Sequence, residues 1–184
     1  MPTQRDLGRH YLEVLPGRFA FTKSLADGAL EQLTDAELVF EPKPGSNSVA
    51  VTMKHIAGNQ LSRWTDFLTS DGEKPWRHRD TEFEDHAWTR EGILAHWEKG
   101  WAALFSALEA LTPEDLLSDV RIRGRAQSVV AAIERQMAHY GYHVGQIVYV
   151  ARLIKGDGWQ TLSVARGASS AYNADRGHGT EDDA

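Results

Sequence analysis

Cysteine is absent from the 184 residues. That excludes disulfides, thiolate metal ligands and a cysteine nucleophile, so a metal site would have to use histidine, carboxylates and water. No uninterrupted apolar run is long enough to span a bilayer, and no membrane role is expected. The opening residues, Met1-Pro2-Thr3-Gln4-Arg5-Asp6, lack the apolar core of a signal peptide, so a soluble, cytoplasmic protein is expected. A basic surplus is missing too: 20 Lys and Arg stand against 26 Asp and Glu, and no basic stripe is present. Nucleic acid and anionic lipid are therefore not expected partners.

Hydrophobic residues make up 41% of the chain, enough for a real core at this length. A single domain is expected over 1–174, with a flexible acidic tail over 175–184. Apolar residues recur at helical spacing in four long stretches. The first, from about Thr3 to Leu33, carries Leu7, Tyr11, Phe21 and Leu25, and Pro16-Gly17 is predicted to kink or split it. Ser46 or Asn47 is the expected N-cap of the second, at about Ser48 to Thr69. Its apolar stripe includes Met53, Ile56, Gln60 and Trp64. Beside it runs a polar row, Ser48, Thr52, His55, Asn59, Ser62 and Asp66, which hydropathy alone assigns to solvent.

The third stretch runs from about Arg90 to Leu111 behind a Thr89 cap, and the fourth from about Ser128 to Lys155. Two adjacent inward rows make the fourth the expected central helix. Between the second and third lies Ser70 to Trp88, dense in charge and without period. Its Trp76 and Phe83 favour an ordered, docked loop. Val120, Ile122 and Gly124 suggest a brief extended piece, and Trp159, Leu162 and Val164 an ordered C-terminal extension. The expected fold class is an all-α helical bundle.

His139 and His143 carry the strongest chemical signal. Four residues apart on a helix, they lie about 40° apart in azimuth and roughly 6 Å apart along the axis. Gln146 returns close to the azimuth of His139. Taken alone, such a pair is more often structural than functional. The zinc-protease pattern needs Glu directly after the first histidine, and Tyr140 stands there, which excludes that class. His55 adds a third imidazole in a row of small polar residues, which suits a cavity or an ion better than a dry core. Three neutral imidazoles fit Zn²⁺, Ni²⁺ or a similar divalent ion and leave coordination positions open. No carboxylate lies within a turn of these histidines on the same face. Acid–base chemistry is therefore expected from water or substrate held by the ion, and no catalytic side chain is named. His10, His78, His86, His96 and His178 match no ligand position and read as surface or loop residues.

His55 followed by Gly58-Asn59, together with His139, His143 and Gln146, resembles the DinB-like (YfiT-like) metalloenzyme superfamily. The segments 58–64, 72–77 and 159–163, with Arg166-Gly167, Ser169 and Asn173, are similar to an uncharacterised subgroup of DinB-like proteins. Ala165 stands where that pattern would have proline. The resemblance, which covers nearly the whole chain, implies a four-helix bundle with a long loop between its second and third helices, forming a homodimer. It implies His55, His139 and His143 as metal ligands, with Asn59 and Gln146 supporting them or contacting substrate. Thiol S-transfer and thiol-dependent isomerisation in relatives add a thiol cosubstrate to the expectation. The expected function is a divalent-metal-dependent enzyme, of transferase or hydrolase type, acting on a small molecule. The alternative is a non-catalytic metal- or ligand-binding helical-bundle dimer with a structural ion. Arg63, Arg77 and Arg79 are candidates to bind an anionic substrate or thiol cosubstrate, with pairing to Glu73, Asp80, Glu82 and Glu84 as the simpler reading.

Overall fold

The structure is a computed structural model and describes residues 4–84 and 88–175. In chain order it contains α1 (Gln4–Leu30), the single turn α2 (Asp35–Leu38), α3 (Val49–Trp64) and α4 (Arg90–Glu109). A hairpin of β1 (Asp119–Ile122) and β2 (Arg125–Ser128) follows, then α5 (Val129–Lys155) and the short α6 (Ser169–Asp175). The protein is mostly helical, and the all-α expectation needs correcting for the hairpin. Arg123 (φ 55°) and Gly124 (φ 72°) both take left-handed conformations, and that two-residue turn matches the twist of the strands it joins.

Side-chain caps start the long helices. Ser48 Oγ accepts the Val51 N–H at 3.2 Å, Thr89 Oγ1 that of Gly92 at 3.2 Å, and Ser128 Oγ that of Ala131 at 3.2 Å. Ser48, rather than Ser46 or Asn47, therefore caps α3. This helix stops at Trp64, short of Thr69, because the chain turns left-handed at Asp66 (φ 49°). The expected break in α1 does not occur. Pro16 and Gly17 lie on the outward face, where losing one hydrogen bond costs least, while Leu15 and Phe19 anchor the inward face.

In the core, α3 packs along α4 and crosses α5, and α1 packs along α5. Gly100 lets α4 come close, since a Cβ there would lie 2.9 Å from Ala57 Cα. Phe19, Trp64, Trp97, Trp101 and Tyr140 fill the interior through edge-on ring contacts. The central helix is α3, not α5. Of its residues only Val51 and Leu61 are less than buried, whereas α5 turns Tyr142, Tyr149 and Leu153 outward.

The segment after α3 is strapped down, as its aromatic residues suggest. The Asp71 carboxylate accepts N–H bonds from Arg123 (2.8 Å) and Gly124 (2.7 Å) at the hairpin turn. Gly72 N–H donates to the Arg121 carbonyl at 2.8 Å, and the buried Arg63 guanidinium donates to the Gly72 carbonyl. The C-terminal extension docks on α1 through reciprocal Gln32–Gln160 bonds and through Leu162 against Gly28. Asp175 closes α6, and the rest of the expected acidic tail lies outside the described residues. No helix among the described residues is long and apolar enough to cross a membrane.

Candidate metal centre

Two helices bring the three histidines together. His55 projects from the middle of α3, and His139 and His143 from adjacent turns of α5, so that one nitrogen from each lies within 4.8 Å of the others. The Nε2 atoms of His55 and His139 are 3.3 Å apart. Two ligands each about 2.0–2.1 Å from a tetrahedral centre would be separated by roughly 3.3 Å, so this spacing suits a shared ion. No other His, Asp or Glu joins the cluster among the described residues.

The other ring nitrogens decide which lone pairs face inward. His55 Nδ1 is 2.8 Å from Glu82 Oε2. Burial works against ionisation of Glu82, but hydrogen bonds from His55 and Arg77, and the charge on Arg77, hold its carboxyl below the usual range. An ionised carboxylate only accepts, so Nδ1 of His55 carries a proton and Nε2 is the nitrogen turned toward the other histidines. At His143 the Gln146 carbonyl oxygen, 2.7 Å from Nδ1, does the same. His139 Nδ1 is buried without a partner.

Electrostatics keep His139 and His143 neutral. Burial, followed by the neighbouring His143 and His55 and the charges of Arg77 and Arg63, pushes the His139 pKa down to about 3. Burial likewise lowers His143, against the opposing Gln146 hydrogen bond. Unprotonated imidazoles are the metal-binding form. The donor set and its spacing fit a divalent cation, which His139 would meet through Nε2.

Beneath the histidines, Trp64 Nε1–H donates to the Tyr140 hydroxyl (3.0 Å), which donates to Asn59 Oδ1 (3.1 Å). Tyr140, already used to exclude the protease pattern, pins α5 to α3. Burial raises its pKa, so the hydroxyl stays protonated and able to donate. Asn59 is buried and, with His55 and His139, borders a cavity of about 190 Å³. Arg63, Arg77 and Arg79 border it too, and each also has a carboxylate neighbour: Glu73 at 3.1 Å, Glu82 at 2.8 Å and Asp80 at 3.7 Å.

Sequence reasoning missed Glu82. Helical spacing found no carboxylate within a turn of the histidines on their own face of the helices. Glu82 arrives instead from the 79–83 turn of the long loop, with the Phe83 ring tilted against the His55 ring at a centroid distance of 4.8 Å. Gly58 makes room for it: a Cβ there would press on the Glu82 carboxylate, 2.9 Å from Cδ. The only available signal was a glycine one turn beyond His55, in a helix facing a charged loop. His96, read as a surface residue, is instead half-buried against Trp88, and burial lowers its pKa. His10 and His78 are exposed and lie outside the cluster, while His86 and His178 lie outside the described residues.

Fold and site define a mostly helical protein with three histidines placed to share an ion. Residues 6–168 match the model of the family described as protein of unknown function (DUF1572), and the chain belongs to that family. No curated protein and no solved structure matches it.

Proposed function

We propose that His55, His139 and His143 hold a divalent metal ion, Zn²⁺ or Ni²⁺, in an enzyme of transferase or hydrolase type acting on a small molecule. The observation that carries this reading is the cavity bordering a three-histidine cluster to which no fourth protein ligand is added among the described residues. A closed structural site would have its coordination completed by the protein, so the non-catalytic alternative finds less support. Bound there, the ion would supply Lewis-acid chemistry, polarising an oxygen or sulfur of the substrate or of a thiol cosubstrate.

The chain's own residues have supporting tasks. Glu82 and Gln146 orient the rings of His55 and His143. Glu82 is already held by His55 and by two bonds from Arg77 (2.8 and 2.9 Å), so it positions a ligand and is not free to act as a base. Asn59, fixed by Tyr140, presents its amide group at the cavity wall. The finer architecture belongs to the same proposal: a four-helix bundle of DinB-like type, assembled as a cytoplasmic homodimer.

Metal analysis of the purified protein beside His139→Ala tests the assignment. Wild type should retain about one ion per chain and the variant almost none. Equal content in the two proteins would remove the site.

A further inference from the structure

We propose that the cavity beside the histidines binds an organic anion with an acidic group at each end and a hydroxyl between them, of the hydroxydicarboxylate kind. Calling this anion the substrate rests on the enzyme reading above, although the side chains that would bind it act without the ion.

Five arginines line the cavity, Arg63, Arg77, Arg79, Arg123 and Arg135, and among the described residues no carboxylate residue does. The carboxylates that pair with them are fewer. Glu73 is shared by Arg63 (3.1 Å) and Arg123 (2.9 Å), Glu82 serves Arg77 as well as His55, and Asp80 lies 3.7 Å from Arg79 in open solvent. Arg135 has no ion pair among the described residues. In a chain of formal net charge -6, this is a concentrated positive field inside a small concavity, the arrangement that draws in anions. The guanidinium fork also matches a carboxylate geometrically.

Besides His139 Nδ1, two buried polar atoms of cavity-lining residues lack partners. Arg63, 5% exposed, has an unbonded Nε–H, and Gln136, 3% exposed, has an unbonded Oε1. Both residues line the cavity. The first calls for an acceptor and the second for a donor. Leaving such groups unsatisfied is costly, and a ligand with a carboxylate next to a hydroxyl answers both.

The second acidic group follows from the adjoining concavity. About 590 Å³ in volume, it shares Arg123 and Arg135 with the first and adds Arg125 and Gln127 from the hairpin. Gln127 Nε2 is another buried donor without a partner. The guanidinium groups thus continue from the histidines along the hairpin, so a ligand anchored at Arg63 has a second cationic site further on.

Isothermal titration of the full-length protein with malate, succinate and inorganic phosphate, in its ion-loaded and chelated forms, tests this. Malate should bind one per chain, about three- to tenfold tighter than succinate, which lacks the hydroxyl. Phosphate, which offers one acidic group, should bind more weakly than either. Arg135→Gln, at an exposed residue that holds no structural ion pair, should weaken malate at least about tenfold while leaving ion content unchanged. No binding by any probe, phosphate equal to malate, or unaltered binding in Arg135→Gln would overturn the inference. Ion retained without anion binding sinks this inference alone. Anion binding without a retained ion sinks the metal reading and leaves the anion site standing.

Discussion

The two helices that carry the histidines, α3 and α5, handle polar rows in opposite ways. On α3 the row of Thr52, His55, Asn59 and Ser62 is buried, because the 66–84 segment and α5 close over it. On α5 the row through His139, His143 and Gln146 stays half-buried at a cavity edge, with Tyr142 and Tyr149 in solvent on the next face. Equivalent patterns thus bury His55 in a packed wall and leave His139 and His143 half-buried. Burial fixes the position of His55, and the half-open face leaves its partners accessible.

Glycines sharpen the contrast. Gly58 on α3 sits under Glu82, whereas a Cβ at Gly141 on α5 would meet nothing within 4 Å. The largest effect is expected for Gly58→Ala, which displaces Glu82 from His55. Metal affinity should fall about 10–100-fold, as for loss of an outer hydrogen-bond partner, measured by competition with a chelating dye. Unchanged affinity would mean that Glu82 does not orient His55. Tyr140→Phe comes next. It leaves the Trp64 N–H and Asn59 Oδ1 without their common partner, and chemical denaturation should show a loss of about 1–3 kcal/mol. A neutral outcome would show that the two helices are not joined through that hydroxyl.

Acidification comparing wild type with His139→Ala, both chelated, reads the opening itself. His139 has its folded pKa lowered to about 3 from 6.5. Between those values the unfolded chain takes up a proton that the folded chain refuses, so stability is lost as pH falls from 6.5 toward 3. The wild-type melting temperature should decline over that window, with a shallower decline in the variant. Equal slopes would place the acid sensitivity elsewhere. The smallest effect is expected for Gly141→Ala, a gain of about 0.5–1 kcal/mol from helix propensity alone. A loss there would reveal a surface covering that face of α5.

Much of this was readable before folding. The spacing of Leu, Trp and Ile marked the long helices to within a few residues, and Thr89 and the 128 region marked two of their starts. His139 and His143 were paired by helical geometry alone. Other features carried no local signal. Glu82 belongs to a segment without period, so nothing in its spacing aims it at His55. Arg123 and Arg135 reach the cavity from the hairpin and α5, and each has an ordinary surface residue's neighbourhood in the chain, whereas Gln136 falls in the inward row of α5. Ser62 and Asn59 looked solvated because hydropathy scores a residue without knowing what covers it.

The sequence by itself therefore determined the helices, the histidine pair and the lack of any thiolate ligand, because these depend on residue type and a repeat of about 3.6. Tertiary structure alone decided that α3 is central, that Glu82 holds His55, and that five arginines meet beside the histidines. Those outcomes depend on distances between segments far apart in the chain, which periodicity does not encode.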